Sequence, residues 1–376
     1  MVKQWFRNVI RLSRKELSSL LTDAILMFFI AFTLSVAVVS VARGVKAEVD
    51  NASVGIIDSD YSTLSMRLRD AILPPYFKPA QTISHDRIDR LMDRGEFIFV
   101  LDIPANFEKD LLAGRQPRVQ LLVDATAMTQ AGVGVFYFQQ IFTQEVLGFL
   151  NIHGIDSVLP VQPIIRLFYN PNTQSAWFTS VMHIVMTITI LGIILVGAAV
   201  IREREHGTIE HLLVMPVRAS EIACAKILTN AAVILAASLL SIALVAHWGL
   251  GVPIHGSWLL FAFGTALFLF SVTALGMLLA TLAPNMPQFG LLASVVILVL
   301  YLLSGAATPL ESMPTAMQTI SQIFPTTQYV ALAQNILFRG AGFSLVWPEF
   351  AAMAFMGVVF MTLALGKFRS MLAQQG

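Results

Sequence analysis

Residues 202–216 read Arg-Glu-Arg-Glu-His-Gly-Thr-Ile-Glu-His-Leu-Leu-Val-Met-Pro and lie between two long apolar runs. A segment this charged in that position has to sit in water at a membrane face. Its residue types suit docking rather than bond making. Gly207 and Thr208 mark a helix start, with the Thr208 hydroxyl able to cap first-turn amides. Glu210 falls where the positive end of the helix dipole favours an acid, and Pro216 ends the helix. Ile209, Leu212 and Leu213 recur at i, i+3 and i+4 and give one apolar face on a polar turn. Two partners fit such a face: lipid headgroups, or a groove on a soluble protein.

Other chemistries find less support. Ser241, Ser271 and Ser294 fall in apolar stretches, where small hydroxyls commonly serve helix packing, so an intramembrane hydrolase is a weak alternative. His183 sits among small and apolar neighbours and reads as a packed or pore-lining histidine rather than a proton relay. No Gly-Lys-Ser/Thr phosphate loop occurs, so ATP is not bound by that route. The seven histidines are scattered without a metal-ligand pattern, so no metal site and no cofactor are expected on this chain. Cys224 is the single cysteine, which excludes an intramolecular disulfide. A net charge of +1 gives no basic footprint for nucleic acid.

The elements that must position the charged segment follow from composition. Of 376 residues, 56% are hydrophobic and 12% charged, and the mean hydropathy is +0.73, which is a membrane protein's composition. Asp, Glu, Lys and Arg are absent between Arg166 and Arg202, between Lys226 and Glu311, and between Glu349 and Lys367. Residues 1–21, with Lys3, Arg7 and Arg11 on one side and Trp5, Phe6, Val9 and Ile10 opposite, predict an amphipathic interfacial helix. The first span is placed at 22–42. Further spans follow at about 176–201, 228–247, 258–283, 288–305 and 348–366. Residues 308–340 are too polar to span and too apolar for a free loop, which fits a re-entrant helical segment in the outer leaflet.

Residues 43–172 hold 27 of the chain's 47 Asp, Glu, Lys and Arg. Strands are expected there at 53–57, 96–103, 119–123 and 164–168. Helices are expected at 61–73, 85–94, 104–113 (begun by Pro104) and 128–150. The basic residues near span ends, Lys3, Arg7, Arg11, Arg202, Arg204, Arg218, Lys226, Lys367 and Arg369, all fall on one side of six spans. That side is the cytoplasm. The expected architecture is an α-helical polytopic membrane protein with six transmembrane helices. An α/β periplasmic domain is inserted between spans one and two, and the rest, 173–376, holds spans two to six.

Residues 203–216 resemble the signature of type 2 ABC transporter permeases. The resemblance extends to the basic helix before the first span, to Ile103-Pro104-Ala105-Asn106-Phe107, and to Phe324-Pro325-Thr326-Thr327 before the last span. It implies a six-span subunit of a bacterial inner-membrane ABC exporter. In such a subunit residues 207–215 are the coupling helix that enters a groove of a separate ATP-binding subunit. Glu203, Glu205 and Glu210 would position that helix, with Gly207, Thr208, Ile209, Leu212, Leu213 and Pro216 forming it. It also implies ATP and Mg on that partner rather than here, and a second permease, identical or homologous. A periplasmic adaptor and an outer-membrane channel are partners that the external domain could recruit. Phe178, Met182, Met186 and Tyr301 on spans two and five would give an apolar path suited to a lipophilic or drug-like cargo. The alternative is a non-transporting scaffold that passes ATP-driven motion to a periplasmic partner.

Overall fold

A basic amphipathic helix, α1 (Val2–Thr22), leads into a first span made of two pieces, α2 (Ala24–Thr33) and α3 (Val36–Gly44). The computed structural model describes residues 2–44, 51–124, 128–150, 170, 174–205 and 218–375. The strand expected at 164–168 and the docking helix expected at 207–215 lie outside the described residues. Asp23 restarts the helix after α1, its carboxylate accepting from the Leu26 amide at 3.1 Å. The span then breaks at Leu34 and Ser35. There the Thr33 hydroxyl bonds the Phe29 carbonyl at 2.9 Å and the Ser35 hydroxyl bonds that of Ala31, which bends a helix.

The chain divides into two units, one of Met1–Arg43 with Ala176–Gly376 and one of Gly44–Ser175. The second contains β1 (Val54–Asp58), α4 (Thr63–Asp70), β2 (Gln81–Thr82), α5 (Ile88–Asp93), β3 (Phe99–Ile103), α6 (Phe107–Leu112), β4 (Gln120–Val123) and α7 (Met128–Phe149). The sheet order is β2-β1-β3-β4. β1 runs parallel to β2 and β3, and β4 runs antiparallel to β3, with Gly55 opposite Val100 and Leu101 opposite Leu121. Alternate strand residues feed two cores. Val54, Ile56, Phe99 and Leu101 join Phe77 and Phe138 on one face, while Ile57 and Val100 meet Ile88 and Phe97 on the other. The acids here act as caps. Glu108 accepts from the Leu64 amide at 2.9 Å, so α6 secures the first turn of α4, and Asp60, in the loop before α4, accepts from the Glu108 amide at 3.0 Å and secures that of α6. Two details differ from expectation. β2 is only two exposed residues and carries no readable pattern. The helix expected to begin at Pro104 begins at Phe107, because Asn106 adopts a left-handed φ of 63° that interrupts helical geometry.

The first unit continues with α8 (Ser175–Glu205), α9 (Ala219–Leu240), α10 (Trp258–Leu282) and α11 (Met286–Leu303). After these come α12 (Thr315–Ser321), α13 (Pro325–Ala333) and α14 (Phe343–Gln375). α9 runs on as a π-helical stretch, Ser241–Gly249, and α13 as another, Gln334–Phe338. With the first span, six helices are long and apolar enough to cross a membrane. α8 is buried along most of its length and forms the centre of the unit's core. Close approach explains how. A Cβ on Gly276 of α10 would lie 2.5 Å from the Ile193 carbonyl oxygen of α8, so only glycine lets the two backbones meet. The segment expected to dip into the membrane folds as helix-turn-helix. Thr327 donates to the Leu303 carbonyl at 3.1 Å, and Tyr329 stacks on Phe268 at 4.1 Å and shares a 2.9 Å hydrogen bond with Thr265.

Of the three serines read as packing residues, Ser241 and Ser271 tie helices together and Ser294 does not. Ser241 donates to Leu34, whose carbonyl lies at the break in the first span, and Ser271 donates to the Met353 carbonyl at 2.6 Å. Ser294 bonds within its own helix to Gly290 at 2.7 Å.

Candidate coupling site

The last turn of α8, from which residues 206–217 depart, is pinned by three consecutive side chains. Glu203 pairs with Lys226 of α9 at 2.8 Å. Arg204 donates to the Ala283 carbonyl at the end of α10. Glu205 accepts from the Met286 amide at 2.8 Å and so caps the N-terminus of α11, next to Asn285, which accepts from Gln288 at 3.0 Å. Glu203 and Glu205 are thus spent on their own chain, where they hold the turn that leads into residues 206–217. Gly207, Thr208, Ile209, Glu210, Leu212, Leu213 and Pro216 lie outside the described residues.

The far end of the segment is fixed just as firmly. At the start of α9 the Glu221 carboxylate accepts from the Arg218 amide at 2.9 Å and from the Asn8 amide nitrogen of α1 at 3.2 Å. Trp5 of α1 donates to Ser220 at 3.3 Å. One helical turn or so deeper, Lys226 pairs with Glu16 of α1 at 3.0 Å, and Ser13 offers its carbonyl to Thr229 at 3.2 Å. The face of α1 made of Trp5, Asn8, Val9, Leu12 and Glu16 therefore packs along α9 and reaches both anchors of residues 206–217. Phe6, Ile10, Leu17 and Leu21 form a separate exposed apolar stripe, and Lys3, Arg7 and Arg11 remain exposed. The apolar side expected from the sequence divides here: Trp5 and Val9 face protein, while Phe6 and Ile10 do not.

Lys226 is the centre of this arrangement. Only 2% of its side chain is exposed, while Glu16 and Glu203 are 17% and 20% exposed. An ammonium taken out of water is tolerable only when carboxylates surround it, and two do. The sequence offered Lys226 as a span-edge cation; Glu16 and Asn8 carried no signal, because their partners lie more than two hundred residues away.

The expected path residues separate. Met182 and Met186, one turn apart on α8, are buried within the helical unit, whereas Phe178 and Tyr301 are exposed. Phe178 borders a cavity of about 290 Å³ with Ser304, Glu311, Asn335 and Arg339. Among the described residues no cluster of His, Cys, Asp and Glu is placed to hold a metal ion.

The profile of the family described as ABC-2 family transporter protein matches residues 18–365. The chain is 46% identical over 363 residues to the inner membrane transport permease YhhJ of Escherichia coli, covering 96% of this chain and 97% of that one. It is 28% identical to the probable multidrug ABC transporter permease YbhR of Escherichia coli, over 91% and 93% of the two chains. With the probable multidrug permease YbhS it shares 25% identity over 79% of each chain. A match over nearly the whole length, on a structure of six apolar helices with a charged segment anchored at both ends, places this chain in the ABC-2 family of transporter proteins.

Proposed function

We propose that this chain is the membrane-spanning permease subunit of an ATP-driven exporter of the bacterial inner membrane, with ATP and Mg held by a separate subunit. The observation that carries this reading is the anchoring of residues 206–217. Glu203, Arg204 and Glu205 hold one end and Glu221 the other, so force applied to the segment reaches α1, α8, α9 and the α10–α11 turn together. A helix at 207–215 would enter the ATP-binding subunit's groove with Ile209, Leu212 and Leu213 as its apolar anchors. Closure of that subunit would move these helices as a rigid body and open a path at a second permease. The cations near span ends support cytoplasmic termini and a periplasmic unit at 43–172. The word multidrug in the names of YbhR and YbhS supports a drug-like cargo.

The test is co-purification with the ATP-binding subunit, followed by transport in liposomes. Glu210→Lys and Leu212→Asp are expected to cut co-purification roughly tenfold or more, the loss of about 1.4 kcal/mol, while the permease itself still folds. Undiminished co-purification of both variants refutes the docking assignment. ATPase activity that alters a periplasmic partner without moving cargo refutes export and supports the scaffold.

A further inference from the structure

Beside the Lys226 network lies a cavity of about 520 Å³, bordered by the α1–α2 joint, the last turns of α8 and the start of α11 and open on one side. Its volume falls in the range of about 300–1,000 Å³ typical of small-molecule sites. Its lining changes character along its length. Lys15, Glu16, Asp23, Arg202, Glu203 and Lys226 surround one end. Leu26 of α2 and Ile194, Leu195 and Ala198 of α8 lie further along these helices, away from the charges, and Ser19, Leu20, Ala199 and Met286 complete the lining. Along α8 the change runs from Arg202 to Ile194, eight residues or about 12 Å of helix. It coincides with the point where the charge-free run of that span begins. A cavity that passes from charged to apolar at a span end matches a molecule that is itself charged at one end and apolar at the other.

The charges narrow the class. Three cations, Lys15, Arg202 and Lys226, face three carboxylates, Glu16, Asp23 and Glu203, so the charged end is neutral overall. Lys226 is already saturated by Glu16 and Glu203. Lys15 is exposed and has no hydrogen bond or ion pair among the described residues, and Asp23 uses one oxygen on the Leu26 amide. An uncommitted ammonium and a carboxylate oxygen then remain on the lining, a complement for a headgroup bearing both a phosphate and an ammonium. A purely anionic headgroup would meet the same carboxylates without a counter-charge of its own.

We propose that this cavity binds a zwitterionic glycerophospholipid from the leaflet next to α1, with its phosphate at Lys15, its ammonium at Asp23 and the upper acyl chain against Ala198 and Ile194. The site is independent of the export reading, since it rests only on the helical unit. Native mass spectrometry of the purified full chain, titrated with phosphatidylethanolamine or with phosphatidylglycerol of the same acyl chains, tests it. Wild type is expected to retain one phosphatidylethanolamine in preference to phosphatidylglycerol. Ala198→Trp, which fills the apolar end, and Lys15→Glu, an exposed change that leaves packing intact, are each expected to lower that occupancy roughly tenfold. Leu259→Trp, at an exposed position of α10 that does not line the cavity, is expected to behave as wild type. Wild-type occupancy in Lys15→Glu or Ala198→Trp overturns the proposal, as does equal or stronger retention of phosphatidylglycerol.

Discussion

Lys226 places its ammonium where 2% of the side chain meets solvent, between carboxylates that come from α1 and from the end of α8. Removing the cation leaves two acids facing each other, so Lys226→Met should cost roughly 3–5 kcal/mol, the range for breaking a buried pair. It should appear as a lower thermal midpoint in detergent, and Lys226→Arg should recover part of the loss. If Lys226→Met melts with wild type, the network is not structural. At this scale the sequence spoke unevenly. Glu203 and Glu205 stood out because they sit in a charged run between apolar ones. Glu16 did not, because one acid on a basic helix looks solvated. Its partner is 210 positions distant, and no periodicity connects them.

Spans were the most legible elements, because about 20 charge-free residues have few alternatives to crossing a bilayer. The expected third span began at 228, yet α9 begins at Ala219 and carries Glu221 and Lys226 inside its buried first turns. A charge count cannot see charges that neighbouring helices neutralise. The break between α2 and α3 was equally hidden, since it depends on where the Thr33 and Ser35 hydroxyls turn. Ser241 of the third span bonds the Leu34 carbonyl at that break. Ser241→Ala should therefore leave a buried acceptor without its partner and cost roughly 1–3 kcal/mol, while Ser294→Ala, whose hydroxyl bonds only its own helix, should change little. Thermal unfolding of the two variants side by side decides this, and equal midpoints would remove Ser241 as the link between the first and third spans.

At the scale of the molecule, two units with separate cores share one chain, Gly44–Ser175 being one of them. The strand order did not follow from the sequence, because β2 is two residues long and nothing local says that β1 pairs with both β2 and β3. Gly134 of α7 lies against Phe99, where a Cβ would come within 2.2 Å of the ring. Gly134→Val should weaken the 44–175 unit by roughly 1–3 kcal/mol. Limited proteolysis should then show faster cleavage within that unit and unchanged cleavage of the helical one; faster cleavage of both would mean that the units do not fold separately. The contacts of α1 have a consequence for biosynthesis. Asn8 and Glu16 find their partners only after another 210 or so residues have been made. At elongation rates of about 5–20 residues per second that is a wait of roughly 10–40 s. During it the exposed stripe of Phe6 and Ile10 can hold α1 on the bilayer surface until Glu221 and Lys226 emerge to receive it.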